Sequence, residues 1–149
     1  MKNADCAEQK GVDAGKKVSG IKRHVAVDTQ GRPHAVAVAT ADVTDRAGAI
    51  IAFKRQRESL RSVRNMLVDG GYAGETFRQE VKDVLDADVE VAKRSELHRF
   101  AVIPKRWVVE RSFAWLEKCR RLWKNFERKL GTSLQFMVLA FLVLLLRRL

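Results

Sequence analysis

Two acidic residues stand where a carboxylate could do chemistry. Asp69 closes the short apolar run Asn65-Met66-Leu67-Val68 and is followed by Gly70-Gly71. The next segment, Glu75 to Leu85, places Phe77, Val81, Val84 and Leu85 at helical spacing. The order is strand, acid, tight turn, helix. Ligands of open α/β sheets gather beyond the carboxyl ends of strands, where Asp69 would sit. A turn aspartate that only caps and hydrogen-bonds fits the same residues equally well. The second acid is Glu110, in a stretch that starts at Arg106 and runs without Gly or Pro to Leu130. At 100° per residue, Val108, Val109, Trp115, Leu116, Cys119, Leu122, Trp123, Phe126 and Leu130 share one broad face. Arg106, Glu110, Glu117, Arg121, Lys124 and Arg128 share the other. Glu110 is thus an acid in a mostly basic stripe. Its plainest role is an i,i+4 pair with Arg106, worth about 0.2–0.5 kcal/mol, and helical pattern alone favours that role.

Other elements must position these two. Residues 21–28, IKRHVAVD, alternate as a strand. Asp28-Thr29-Gln30-Gly31 signals a turn, with Asp28 as turn former rather than catalytic acid. Pro33 to Ala41 reads as the return strand of an antiparallel hairpin. Thr44 or Asp45 can cap a helix reaching about Leu60, with Arg46, Lys54, Arg55 and Arg57 outward, as surface charge or as contacts to a DNA backbone. Asp88 to Ala92 reads as a further short strand, and 95–103 as a loop. Residues 1–20, with Gly11, Gly15, Gly20 and the pair Lys16-Lys17, read as a mobile loop whose lysines are either solvated or set on phosphates. From Leu134 to Leu146 the chain is almost wholly apolar. Thirteen residues fall short of the roughly 20 that span a bilayer, so this is a buried or partner-packing helix, capped by Thr132 or Ser133 after Gly131.

Composition narrows the classes. A chain of 149 residues suits one domain, and 46% hydrophobic content supplies a core, which argues against disorder. A net charge of +11 favours a polyanionic partner, nucleic acid ahead of an anionic membrane. Cys6 and Cys119 have no CxxC neighbour and imply no disulfide framework, which fits a reducing cytoplasm. The start, MKNADCAEQKG, lacks the apolar core of a signal peptide. His24, His34 and His98 lack metal-ligand spacing. There is no GxGxxG, P-loop, zinc knuckle or nucleophile elbow.

Three blocks together, DAGKKVSGIKRHVAVDTQG (13–31), LVDGGYAG (67–74) and IPKRWVVERSFAWLEKCRRL (103–122), resemble bacterial insertion-sequence transposases of the DDE type. Their order and spacing fit over nearly the whole chain, and the third block is the most specific. The resemblance implies an α/β fold like ribonuclease H, a mixed sheet with helices on both sides. It implies an active site of two Asp and one Glu that bind Mg2+ or Mn2+. By motif, Asp69 matches the second aspartate, Glu110 the glutamate, and Arg106 the arginine four residues before it. The tyrosine and lysine of the related pattern fall here on Ile103 and Glu117, and Lys118 comes one residue late. Hard divalent cations take carboxylate oxygens and keep several waters, and a pair of them about 4 Å apart can drive phosphodiester hydrolysis and strand transfer. Arg106, Lys118 and Arg121, with Lys16 and Lys17, would hold DNA phosphates beside the acids.

The family's first aspartate ends the first strand, in a motif like DSQSVK. The present chain begins where that motif should end, and Asp5 and Asp13 fall after it. The expectation is a domain truncated at its N-terminus, lacking its central first strand, with exposed strand edges and little activity alone. Residues 1–149 would form one partial catalytic domain: loop 1–20, core 21–130 and apolar helix 132–149. The partners implied are DNA (insertion-sequence ends and target) and either a homo-oligomer or the upstream transposase segment, with no membrane. The other readings are a non-catalytic DNA-binding remnant or inhibitor of the full-length enzyme, and a membrane-associated or assembly protein resting on the apolar tail and Arg147-Arg148.

Overall fold

A computed structural model describes residues 8–15, 17–92 and 106–147, the Arg106 side chain excepted. The strands β1 (Gly11–Asp13), β2 (Val18–Val27) and β3 (Pro33–Thr40) form an antiparallel sheet in the order β1-β2-β3. β4 (Asn65–Val68) and β5 (Asp88–Val91) pair in parallel as a separate two-stranded sheet. The helices are α1 (Asp45–Arg55), α2 (Glu75–Leu85), α3 (Arg106–Glu117) and α4 (Leu130–Leu146). The single mixed sheet implied by the resemblance is therefore not formed among the described residues.

Alternation along the β2–β3 hairpin separates two cores. Ala26, Ala35 and Ala37 face α1, and with Ala49, Ile50, Phe53, Phe77 and Val81 they form one of them. Ile21, Val25, Val36 and Val38 face the other way and join Leu116, Leu122, Met137 and Phe141 of the α3–α4 side. Small side chains on the first face let α1 approach closely. Gly48 makes room for the His24 ring, since a Cβ there would lie 2.1 Å from its Nε2.

Several expected boundaries hold. α2 spans Glu75–Leu85. Thr44 caps α1, its hydroxyl accepting from Ala47 N at 3.2 Å. Asp28 is a turn former: its Oδ1 accepts from Gln30 N at 2.8 Å and Arg32 N at 2.9 Å. Those bonds, with the His34 ring 3.5 Å away, outweigh its burial and hold its carboxyl below the ordinary range.

Others move. Residues 11–13 and 18–20 pair as a hairpin within the expected loop. Lys22 fastens it, donating to Val43 O and pairing with Asp13 and Asp45. α1 ends at Arg55 rather than near Leu60, because Ser59 donates its hydroxyl to Gln56 O and His34 O and bends the chain into turns. The continuous helix expected from Arg106 to Leu130 stops at Glu117. There Cys119 N bonds Leu116 O and Leu122 N bonds Cys119 O in tight turns, and Arg23 Nη1 takes the Leu122 carbonyl at 2.8 Å. The reversal lets α4 return to the face of β3 that α3 shares through β2. α4 begins at Leu130 rather than after Gly131, and neither Thr132 nor Ser133 caps it. Ser133 instead donates its hydroxyl to the buried Asn125 side chain.

Candidate active site

β4 delivers Asp69 to its carboxyl end, and the 3-10 turn Gly70–Tyr72 follows at once. Asp69 is exposed, in extended backbone. Its Oδ1 accepts from Gly71 N at 3.0 Å, which sets the turn. Oδ2 makes no hydrogen bond or ion pair among the described residues. The turn rests on α1. Arg46 Nε donates to Gly71 O at 3.1 Å, and its guanidinium also runs beside Gly74, whose φ of +143° only glycine adopts easily. Tyr72 stacks at a tilt on Phe77 with ring centroids 5.4 Å apart. Its hydroxyl is pushed up to about 12, first by burial and then by the negative charges of Asp45 and Asp69.

Glu110 is an exposed residue in the N-terminal half of α3. One side of the helix is anchored by Val108, Ser112 and Leu116, all buried, with Ser112 donating its hydroxyl to Val108 O at 3.0 Å. Beside Glu110, Arg111 stacks between Trp107 and Trp115 at 4.4 and 4.8 Å and donates to Gln30 O at 3.1 Å. This ties α3 to the hairpin turn, where Gly31 has φ +80° and leaves no spare room against Arg111, Ser112 and Trp115.

The two carboxylates ride on different layers. The Asp69 turn packs on α1, and α3 packs on β2 and α4 across the hairpin sheet. No group of three His, Cys, Asp or Glu side chains that could hold a metal occurs among the described residues. Of the candidate phosphate ligands, Lys118 is exposed just after α3. Arg121 is held by Glu127 at 2.8 Å and lies over Phe136 at 4.9 Å. Lys17 is exposed in the β1–β2 turn with φ +51°. Lys16 and the Arg106 side chain lie outside the described residues. Val109, Trp123 and Phe126, expected on the buried face, are exposed: Trp123 and Phe126 because the helix ends before them, Val109 although it lies within α3. Sequence reasoning missed Arg46 and Tyr72 as neighbours of Asp69. Arg46 is 25 residues from Gly71, and no local periodicity links them.

Comparison with known proteins bears on this arrangement. The profile of the family described as transposase DDE domain matches residues 4–146. A Burkholderia cepacia protein named for transposition of insertion sequence element IS402 is 34% identical over 117 residues, covering 74% of this chain and 55% of that protein. The chain thus spans about half the length of this curated relative. No solved structure matches.

Proposed function

The chain belongs to the insertion-sequence DDE transposases, and on that premise we propose that it is the C-terminal part of an enzyme that cuts and joins insertion-sequence DNA. Asp69 and Glu110 are the two carboxylates it contributes to a Mg2+ or Mn2+ site. The observation that carries this reading is the placement of Asp69. It is an exposed carboxylate at the end of a parallel strand, fixed through one oxygen by its own turn and open at the other. Carboxylate oxygens are the donors a hard divalent ion takes. When bound, such ions activate a water or a 3′-hydroxyl and stabilise the leaving oxygen of a phosphodiester. The chain's own part is to hold Asp69 rigidly over α1, to present Glu110 from α3, and to meet DNA phosphates with Arg106, Lys118, Arg121, Lys16 and Lys17. We place the protein in the cytoplasm, where its DNA substrate lies. No described helix is long and apolar enough to cross a membrane.

The third carboxylate comes, in this reading, from an upstream strand. β4 pairs only with β5 among the described residues, and β2 beyond Gly20 pairs only with β3. One strand between those edges would join the two sheets into a ribonuclease-H-like mixed sheet. That upstream segment, or a second copy of the chain, is the proposed protein partner. The net charge of +11 also suits a second reading, a DNA-binding remnant that inhibits the complete enzyme.

The experiment supplies the upstream segment and measures Mg2+-dependent cleavage of terminal-repeat DNA. Asp69→Ala and Glu110→Ala should each lower cleavage by at least about a thousandfold, the range of losses for a disabled catalytic group. Activity that survives both substitutions ends the assignment. Salt-sensitive DNA binding with no cleavage even after complementation favours the inhibitor.

A further inference from the structure

The turn between α3 and α4 is the most basic surface segment of the described chain that also exposes aromatic rings. Residues 118–129 hold Lys118, Arg120, Arg121, Lys124, Arg128 and Lys129 against a single acid, Glu127. The segment is pinned rather than loose. Arg23, its guanidinium pulled down to about 10 by burial against the opposing charge of Glu117, grips the Leu122 carbonyl from beneath. Leu122 and Asn125 are each 3% exposed. Asn125 bonds the Ser133 hydroxyl and the Glu127 backbone, and Glu127 bonds Arg121.

On this frame Trp123 stands 75% exposed, the highest value among the large apolar side chains described, and Phe126 is 43% exposed. Lys118, Arg120, Lys124 and Lys129 share the segment with them, exposed and without an ion pair among the described residues. An indole in water forgoes burial that the adjacent α3–α4 core could supply.

We propose that this pinned turn is a stacking platform for unpaired bases of nucleic acid. Trp123 offers the ring face and the flanking cations hold the sugar-phosphate backbone. The charge density disfavours a protein partner, since the centres of protein interfaces are depleted of charge. A membrane surface calls for an amphipathic helix, and the only helical piece here is the three-residue turn Arg120–Leu122. A duplex groove takes a helix or a β-ribbon, whereas a lone exposed ring among cations suits a base out of its stack. The inference takes from the proposed function only its nucleic-acid partner. It adds the form of that partner and a residue that recognises it.

The test uses the full chain in EDTA, so that it reads binding without cleavage. Anisotropy of a labelled single-stranded oligonucleotide of about 20 residues is compared with that of the matching duplex. Trp123→Ala should weaken single-strand binding about tenfold and duplex binding less than about twofold, and Trp123→Phe should retain most of the affinity. Lys124→Ala should weaken both and reduce the salt slope by about one. The single strand should also quench tryptophan fluorescence in the parent and do so less in Trp123→Phe. Equal effects of Trp123→Ala on both nucleic acids, no effect on either, or loss of self-association with binding intact would each overturn the platform. Cleavage that depends on Asp69 and Glu110 while Trp123 is indifferent would remove the platform and keep the proposed activity. The converse pattern would do the reverse.

Discussion

The two faces of the β2–β3 hairpin are finished differently. On the α1–α2 side the core closes on itself, with Ala35, Ala37, Ala52, Phe77, Val81 and Ala87 almost wholly buried. On the α3–α4 side Leu116, Met137 and Phe141 are as deeply placed, yet the outer surface stays apolar. Of the large hydrophobic side chains left exposed among the described residues, only Val12, Ile51 and Leu67 precede residue 107. Trp107, Val109, Trp123, Phe126, Val138, Leu139, Leu142, Val143 and Leu146 all follow it. Contiguous exposed apolar surface marks a place that something else covers. One face thus supports Asp69 from within, and the other carries Glu110 on a layer with its outside still open.

The largest effect expected from this contrast falls on the closed side. Phe77 is 1% exposed, between α1 and the Tyr72 ring. Phe77→Ala should cost about 3–5 kcal/mol, read as a fall in the urea midpoint at unchanged slope. It should also loosen the turn behind Asp69. A midpoint that hardly moves would show that the closed core does not carry the fold by itself.

A smaller effect is a pH dependence built into the same face. His24 is buried against Gly48 on α1. Burial holds its pKa below the ordinary 6.5, and Lys22 adds to that while Asp45 opposes it. With a depressed folded value, the unfolded chain takes up a proton near pH 6.5 that the folded chain refuses. Stability is therefore complete above about 6.5 and falls as the pH drops below it. His24→Leu should flatten that slope in denaturant titrations between about pH 8 and about pH 5. An unchanged slope would move the effect to other groups.

These features were unequally legible in the sequence. α2 could be read at its observed ends because its spacing is amphipathic and local, with Gly74 before it and Asp86 left-handed at φ +53° after it. The hairpin and the Asp28 turn were legible for the same reason. The end of α3 was not, since Glu117-Lys118-Cys119-Arg120 contains no helix breaker. Tight turns follow it, and the Leu122 carbonyl there is held by Arg23, 99 residues away. Helical period places Trp123 in the core on a helix that does not reach it. The neighbours of Asp69 were hidden likewise, because Arg46 and Gly71 meet only through the packing of α1 on the turn. What period and turn chemistry encode, one strand or helix at a time, is readable; what a distant side chain imposes is not.

The smallest effect on the fold separates an open face from a covered one. Leu142 is 49% exposed on α4, on a surface shared with Leu139, Val143 and Leu146. If that surface is open in the single chain, Leu142→Lys should shift unfolding by no more than about 0.5 kcal/mol in dilute solution. If a second copy covers it, the same substitution should shift sedimentation towards the monomer, because a charge there would have to be desolvated on association. A destabilisation of several kcal/mol at all concentrations would place Leu142 inside the chain's own core and remove the asymmetry between the faces. Stability and assembly both unmoved would leave the open face to the proposed upstream segment, whose addition should then protect α4 from amide exchange in the parent and less so in Leu142→Lys.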